Sequence, residues 1–121
     1  MSTNTDNAQL VFKIATRAAW DVACERGMFP GSQDDRRDGF IHLSTQRQLA
    51  WTLANHFKDQ VDLLLIAFDA DTLGDDLRWE GSRGGALFPH LYAPLPTAAA
   101  RAVRLLKLDA KGAPVVPEDI A

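Results

Sequence analysis

The run VDLLLIAF, residues 61–68, constrains the fold more than any other stretch of the chain. Every residue after Asp62 is apolar, so an extended strand would carry apolar side chains on both faces. Because a strand of this kind must be covered on both sides, it belongs in the interior of a sheet. We therefore predict a central strand at this position.

Two elements are predicted ahead of that strand, near the N-terminus. LVFKIA, residues 10–15, is typical of a strand with one charge in its interior. Thr16 then has the character of an N-cap for a helix from Arg17 to Arg26, which Gly27 ends. The helical spacing of Trp20 and Cys24 places both on the buried face.

The next segment, MFPGSQDDRRDG, is polar and rich in turn residues, so we predict a long mobile loop over residues 28–39. It is either a solvated surface loop or a lid near a site. A short strand over Phe40–Leu43 follows. Thr45 and Gln48 have the spacing of a capping box and open a helix that runs to about Lys58. Trp51 lies off the apolar stripe of that helix, and the sequence leaves its role open.

The last third of the chain is predicted to be mostly strand. We predict strands over Leu77–Glu80 and Leu87–Tyr92, with Pro89 marking an edge or irregular position. Residues 102–108 are predicted to form a strand, although a helix would also fit their pattern. With two early helices and late strands, the order predicts an α+β fold. We expect one domain over residues 10–113, a disordered tail over residues 1–9 and a C-terminal tail over residues 114–121.

Charge and composition exclude some classes of function. The 121 residues carry a formal net charge of −3, which argues against a broad nucleic-acid interface but allows a small anionic ligand or nucleotide. The N-terminus lacks the apolar region of a signal peptide, and no run approaches the ~18 apolar residues of a membrane span. We expect a cytoplasmic protein without a membrane partner.

The stretch GFIHLST sets a histidine among apolar residues. Alternation puts Phe40, His42 and Ser44 on one face of the strand. A second stripe, Phe88, His90 and Tyr92, is predicted on the later strand and would form an opposite wall of a cleft. A histidine in a strand can also be a structural group with one hydrogen-bond partner.

Polar residues near the second stripe add to the candidate site. Glu80 follows Trp79 and precedes a glycine-rich turn that carries Arg83. A carboxylate beside an aromatic wall can have a raised pKa or can orient a ligand hydroxyl, and the arginine can bind an anion. Ser44 and Thr45 stand at a helix start, where free backbone N–H groups favour an anion. The alternative is a plain hairpin loop with its arginine in solvent.

Other site chemistries are less well supported. The sequence contains neither the CxxC nor the HExxH spacing that would indicate a zinc site. His42, His90 and Glu80 would form a two-histidine, one-carboxylate metal site only if the fold brought them together. We expect no metal. The predicted burial of Cys24 argues against a thiol nucleophile. No GxSxG elbow, dinucleotide fingerprint or P-loop is present.

The motifs FIHLS, WE and FPHLY, in this order, resemble those of a small bacterial family known as domain of unknown function 952. The likeness extends over nearly the whole domain, from LVFKIA to APLP. The resemblance implies a fold similar to the ADP-ribosyltransferases, with a split, mainly antiparallel sheet and a cleft for nicotinamide adenine dinucleotide (NAD).

The resemblance also implies roles for the candidate residues. Lys13, His42, Ser44 and Thr45 would lie on one side of the cleft, with Glu80, His90 and Tyr92 nearby. In a reaction at the nicotinamide–ribose bond, Glu80 and His42 would be catalytic, with Glu80 on a ribose hydroxyl. Binding residues for NAD as the substrate would be Lys13, Ser44, Thr45, Trp79, Arg83, Phe88, His90 and Tyr92.

Three function classes remain open at this point. The first is an NAD-dependent ADP-ribosyl transferase or NAD-cleaving enzyme. The second is a non-catalytic module that binds a small ligand or peptide in the same cleft. The third is a structural or interaction domain in which His42 and His90 are satisfied core groups.

Overall fold

The central strand lies where its apolar run predicts. A computed structural model describes residues 9–81 and 85–118. In it β4 (Leu63–Asp69) pairs antiparallel with β1 (Leu10–Thr16) on one side and with β8 (Ala102–Leu105) on the other. Six of the seven β4 residues are buried, which confirms that this strand is covered on both faces.

The remaining elements lie between these three strands in the chain. The further helices and strands, in chain order, are α1 (Arg17–Arg26), β2 (Met28–Phe29), α2 (Gln33–Asp38), β3 (Ile41–His42), α3 (Leu49–His56), α4 (Ala70–Leu73), β5 (Leu77–Gly81), β6 (Leu87–Leu91) and β7 (Leu95–Pro96). Short 3₁₀ turns occupy Gln46–Gln48, Gly74–Asp76 and Thr97–Ala99. The predicted helix from Gln46 to about Lys58 is thus a 3₁₀ turn followed by the shorter α3.

Helix α1 has the predicted bounds and caps. Thr16 Oγ1 accepts a hydrogen bond from the backbone N–H of Ala19, and Gly27 ends the helix with φ 83°. Trp20 is buried as predicted. The prediction for Cys24 was wrong, because its side chain is exposed. The helix buries a narrower face, formed by Trp20 and Ala23.

The predicted loop over residues 28–39 was also wrong. It contains the short strand β2 and the helix α2, so among residues 9–62 three helices rather than two precede β4. Ser32 and Asp35 form a reciprocal capping box at the start of α2, and Gly39 ends it in the left-handed conformation. Asp35 is buried, with 2% of its surface exposed.

A second antiparallel sheet has the order β3-β6-β5. Pro89 lies in β6, the middle strand, so of the two predicted alternatives the edge position was wrong. The strand accommodates it because β3 is only two residues long. Pro89 O still accepts a hydrogen bond from Leu43 N, while the missing proline N–H falls beyond the β3 pairing. Phe12 and Ser44 exchange two backbone hydrogen bonds and join this sheet to β1.

The late part of the chain is strand, as predicted. β8 pairs with β4, so the helical alternative for residues 102–108 was wrong. β2 and β7 form a two-stranded antiparallel sheet. The architecture is α+β with antiparallel sheets and several helices. Leu108 and Pro114 form an isolated bridge near the C-terminus. The domain bounds remain predictions, and residues 1–8 lie outside the described part.

Candidate functional site

The two histidine stripes lie side by side on one face of the second sheet. β3 and β6 pair with His42 directly opposite His90. The Phe40 ring packs between them, 4.0 Å from the His90 ring in a stacked arrangement and 4.6 Å from the His42 ring. The Tyr92 ring lies 5.3 Å from the same phenylalanine. The stripes are therefore neighbours in one surface, and the prediction that they form opposite walls was wrong.

A buried ion pair lies beneath His42. The Lys13 ammonium on β1 is 2.9 Å from Asp35 Oδ2 on α2, and these side chains are 5% and 2% exposed. Lys13 Nζ also donates to His42 O at 3.1 Å. The lysine thus ties the central sheet both to α2 and to β3.

Asp35 collects several donors at once. Its carboxylate accepts from the backbone N–H of Ser32 and from both the backbone N–H and the ring Nδ1–H of His42, the last at 2.6 Å. Burial alone would raise the pKa of Asp35, but the hydrogen bonds from His42 and the charge and hydrogen bond of Lys13 outweigh it. The pKa of Asp35 is held well below its usual range.

His42 bridges two acidic residues of α2. Its Nδ1 faces Asp35, and its Nε2 is 2.9 Å from Asp38 Oδ2. Because a carboxylate only accepts, each contact needs a proton on the ring nitrogen that makes it. A ring protonated on both nitrogens satisfies both contacts. Arg37, which pairs with Asp38 at 3.0 Å, extends the chain of charges to the surface.

His90 is held by a different carboxylate. Its Nδ1 is 2.8 Å from Glu80 Oε1, which also accepts from the Tyr92 hydroxyl at 2.7 Å. The hydrogen bonds from His90 and Tyr92 lower the pKa of Glu80, and the bond to Glu80 raises the pKa of Tyr92. Within residues 9–81 and 85–118 the His90 Nε2 has no hydrogen-bond partner, so this nitrogen is the one left for a ligand.

A cavity of about 550 Å³ opens beside these groups. This volume is within the range of small-molecule sites. Its polar wall includes Lys13, Asp35, His42, Ser44 and His90, and its aromatic wall includes Phe12, Phe29, Trp51 and Phe88. Ser44 is buried, and its Oγ lies 2.9 Å from Thr52 Oγ1.

The predicted site residues divide into those that line the cavity and those that do not. Lys13, His42, Ser44, Phe88 and His90 line it. Glu80 and Tyr92 reach it only through His90. Thr45 is absent from the cavity lining, and its backbone N–H donates to Gln48 Oε1. Arg83 lies outside the described residues.

Trp79 is placed away from the other candidates. It pairs with Pro89, whereas Glu80 pairs with Phe88 and Arg78 pairs with His90. Residues directly opposite in an antiparallel pair point to the same face, so the Trp79 side chain projects from the other face of this sheet.

Several site residues were missed by the sequence reasoning. Asp35 and Asp38 were assigned to a mobile loop, and Trp51 was left without a role. A signal for α2 was present, because Ser32 and Asp35 have N-cap and N3 spacing and Gly39 supplies a helix stop. Nothing local indicated that Asp35 meets Lys13, since 22 positions separate them along the chain.

The described residues form neither a metal site nor a membrane-spanning helix. Within residues 9–81 and 85–118, no group of three or more His, Cys, Asp or Glu side chains is placed to hold a metal ion. In the same ranges no helix combines the length and apolar character needed to cross a membrane. Cys24 is absent from the cavity lining.

Comparison with known proteins gives the family but no activity. The chain is similar to the crystal structure of protein CC0527 from Caulobacter crescentus, with 50% identity over 88% of this chain and 93% of that chain, and a TM-score of 0.85. The solution NMR structure of CC0527 gives 50% identity over 87% and 90%, with a TM-score of 0.78. No curated protein matches. Residues 14–103 match the family described as "Protein of unknown function (DUF952)", and the chain belongs to that family.

Proposed function

We propose that this protein is an enzyme that binds a nucleotide-type ligand in the cavity and acts at its N-glycosidic bond, with NAD as the substrate. The observation that carries the proposal is the His90 side chain. A carboxylate holds one ring nitrogen, an aromatic ring stacks on the imidazole, and the other nitrogen is left for a ligand at a cavity wall. This arrangement is typical of an oriented acid–base group.

The hydrogen bonds around Glu80 support a base role for His90. Tyr92 and the Nδ1–H of His90 both donate to Glu80 Oε1. A proton on Nδ1 leaves the lone pair of a neutral imidazole on Nε2, where it can accept a proton. Glu80 therefore acts by fixing the tautomer and by stabilising the imidazolium that forms.

The proposed reaction balances with water as the acceptor. The bond between the ribose C1′ and the nicotinamide nitrogen breaks, and nicotinamide leaves with the bonding electron pair. Water forms the new bond to C1′ and gives its proton to His90 Nε2. The transition state has oxocarbenium character, and Glu80 acts on the step only through His90, by stabilising the imidazolium that forms. A different nucleophile in place of water would give ADP-ribosyl transfer.

The charges around the cavity limit how phosphates would be held. Lys13 is already neutralised by Asp35, so it gives the proposed ligand little additional charge. Arg37 is exposed but pairs with Asp34 and Asp38. We propose that phosphates extend towards solvent, where the exposed Arg37 can exchange partners.

The choice of NAD rests on the fold similar to the ADP-ribosyltransferases that the family resemblance implies. The antiparallel sheets and the cavity beside the histidine stripes are compatible with that resemblance. The alternative is a non-catalytic binding module that uses the same cavity. What favours an enzyme over a module is the carboxylate contact to His90, which ligand binding alone would not require.

The first experiment is a thermal-shift screen of the wild-type protein against NAD, ADP-ribose and their phosphorylated forms. A ligand at 100 times its Kd adds about 2.7 kcal/mol to stability, which gives a measurable shift. Product analysis of each hit by chromatography then tests for free nicotinamide. Stabilisation without any product would favour the binding module, and no stabilisation by any of these ligands would refute the proposal.

The second experiment tests Glu80 and His90 directly. Glu80→Ala should abolish turnover while the protein stays folded, because this carboxylate is at the surface end of the site. His90→Gln should lower kcat by roughly 10²–10⁴-fold, the usual contribution of an acid–base group. Glu25→Ala, at an exposed position of α1, is the matched control and should keep full activity. Unchanged turnover in Glu80→Ala would rule out the assigned role.

A further inference from the structure

Trp51 is an exposed aromatic side chain at the cavity wall. It lies on α3 with 46% of its surface exposed. Its ring is 5.8 Å from the Phe88 ring, at 53°, and 5.4 Å from the His56 ring. All three residues line the cavity.

The fold does not need Trp51 for its core. Helix α3 is anchored by Leu49 and Leu53, which are 0% and 3% exposed. The exposed Trp51 ring and the neighbouring Phe88 ring together form a small apolar patch on the cavity lining. Since the patch lines a cavity rather than a flat surface, a small ligand group fits it better than a protein partner.

The position of Phe88 relates this patch to His90. The two residues are two positions apart on β6, so their side chains leave the same face about 6.4–6.8 Å apart. A ring bound against Trp51 and Phe88 would therefore hold its attached group near the His90 imidazole. That spacing fits a planar base and the sugar joined to it.

Charge also favours a ring as the anchor of the ligand. Among the described residues that line the cavity, the charged side chains are Lys13, Arg37, Asp34, Asp35 and Asp38. Lys13 and Arg37 both contact these carboxylates, so neither of them is an unpaired cation for an anion. Stacking on an aromatic face does not depend on such a group, and it is worth about 1–3 kcal/mol per base.

We infer that Trp51 and Phe88 form the subsite for a planar heteroaromatic ring of the ligand. This inference deepens the proposed function and rests on it. It gives the helix α3 a role in recognition, separate from the proton transfer at His90. The ring is held on the aromatic wall while the sugar lies along β6 towards His90.

The test compares ligands with and without a ring. The probes are NAD and adenosine, which carry a planar base, and ribose 5-phosphate, which does not. Affinities are measured by calorimetry or NMR titration for the wild type and Trp51→Leu. We expect Trp51→Leu to weaken the ring-bearing probes roughly 5- to 150-fold, the equivalent of the stacking contribution. Binding of ribose 5-phosphate should change less than about 2-fold by the same argument.

A matched control is available at the other exposed tryptophan. Trp79 is 38% exposed, but it lies on the opposite face of the second sheet and is absent from the cavity lining. Trp79→Leu should leave the affinity for all three probes within about 2-fold, since no stacking is lost. Melting temperatures of both variants establish that they are folded.

The outcomes separate this inference from the proposed function. If the wild type cleaves NAD and Trp51→Leu keeps the same affinity for the ring-bearing probes, the subsite is refuted while the function stands. If Trp51→Leu loses adenosine selectively but no NAD is cleaved, the subsite stands and the function fails. Equal weakening of all three probes, or no binding of NAD and adenosine by the wild type, would overturn the subsite.

Discussion

Replacing Lys13 with methionine should destabilise the protein strongly. The change removes the ammonium that lies 2.9 Å from the Asp35 carboxylate, in a pair whose side chains are 5% and 2% exposed. Methionine keeps an unbranched stem of similar length, so little packing is lost. What changes is that a buried carboxylate loses its main fixed countercharge.

The magnitude follows from this burial. Burial lowers the pKa of Lys13, and the charge and hydrogen bond of Asp35 only partly offset that effect. Removing one partner of a buried pair nonetheless costs about 3–5 kcal/mol, because the other charge stays buried. His42 still contacts Asp35 and compensates in part. We therefore expect a loss near the lower bound, about 3 kcal/mol, and a fall in Tm on the order of 10 °C.

Urea unfolding followed by tryptophan fluorescence measures the loss. The matched control is Arg17→Met, which breaks the pair between Arg17 and Asp62, with side chains 48% and 57% exposed. An exposed pair of this kind contributes about 0–1 kcal/mol. If Lys13→Met cost no more than Arg17→Met, the reasoning about the buried pair would be refuted.

Two further predictions concern the surroundings of Asp35. The pKa of Asp35 is lower in the folded protein than in the unfolded chain, where it is ~3.9. The stabilisation that its carboxylate provides is therefore complete above pH ~3.9 and is lost as the pH falls through the folded pKa. The stability advantage of the wild type over Asp35→Asn, measured by urea unfolding between pH 5 and pH 2, should shrink as the pH falls; an advantage that grew would contradict this. Gly31→Ala should cost roughly 1–3 kcal/mol more than Gly27→Ala, because both have positive φ but only the Cβ at Gly31 would lie 2.9 Å from Asp35 Cβ. Equal losses in urea unfolding would show that α2 moves aside freely.

The sequence predicted those elements whose information is local. Strand β4 follows from a continuous apolar run, and α1 follows from a threonine cap and a glycine stop. The His42 and His90 stripes follow from simple alternation along two strands. Alternation fixes which side chains share a face, but not which strands become neighbours. That is why the stripes were found and their mutual arrangement was not.

The structure around Asp35 could not be predicted in the same way. Its segment is polar and has a mixed charge, which is also the composition of a solvated loop. What buries Asp35 and holds this otherwise exposed helix in place is the ion pair with Lys13 on a distant strand and the hydrogen bonds to His42. Such long-range compensation leaves no periodic pattern. The error at Cys24 has a related cause, because the packing around α1 decides how wide its buried face is.

The two histidines of the site differ in how closely they are tied to the fold. His42 contacts the buried Asp35, and its backbone carbonyl accepts from the buried Lys13. A variant at His42 therefore disturbs the junction of α2 with the central sheet, and lost activity would mix chemistry with stability.

His90 is different, because its carboxylate partner Glu80 is 38% exposed and contacts His90 and the Tyr92 hydroxyl rather than a buried lysine. Removing the Glu80 carboxylate leaves the Nδ1–H of a neutral His90 without its acceptor, at a cost of about 1–3 kcal/mol, but it leaves no buried charge behind. Activity lost in Glu80 and His90 variants can thus be attributed to the site itself. The same reasoning limits the stability loss expected in the Glu80→Ala experiment to about 1–3 kcal/mol, since a larger loss would mean that Glu80 supports the fold as well.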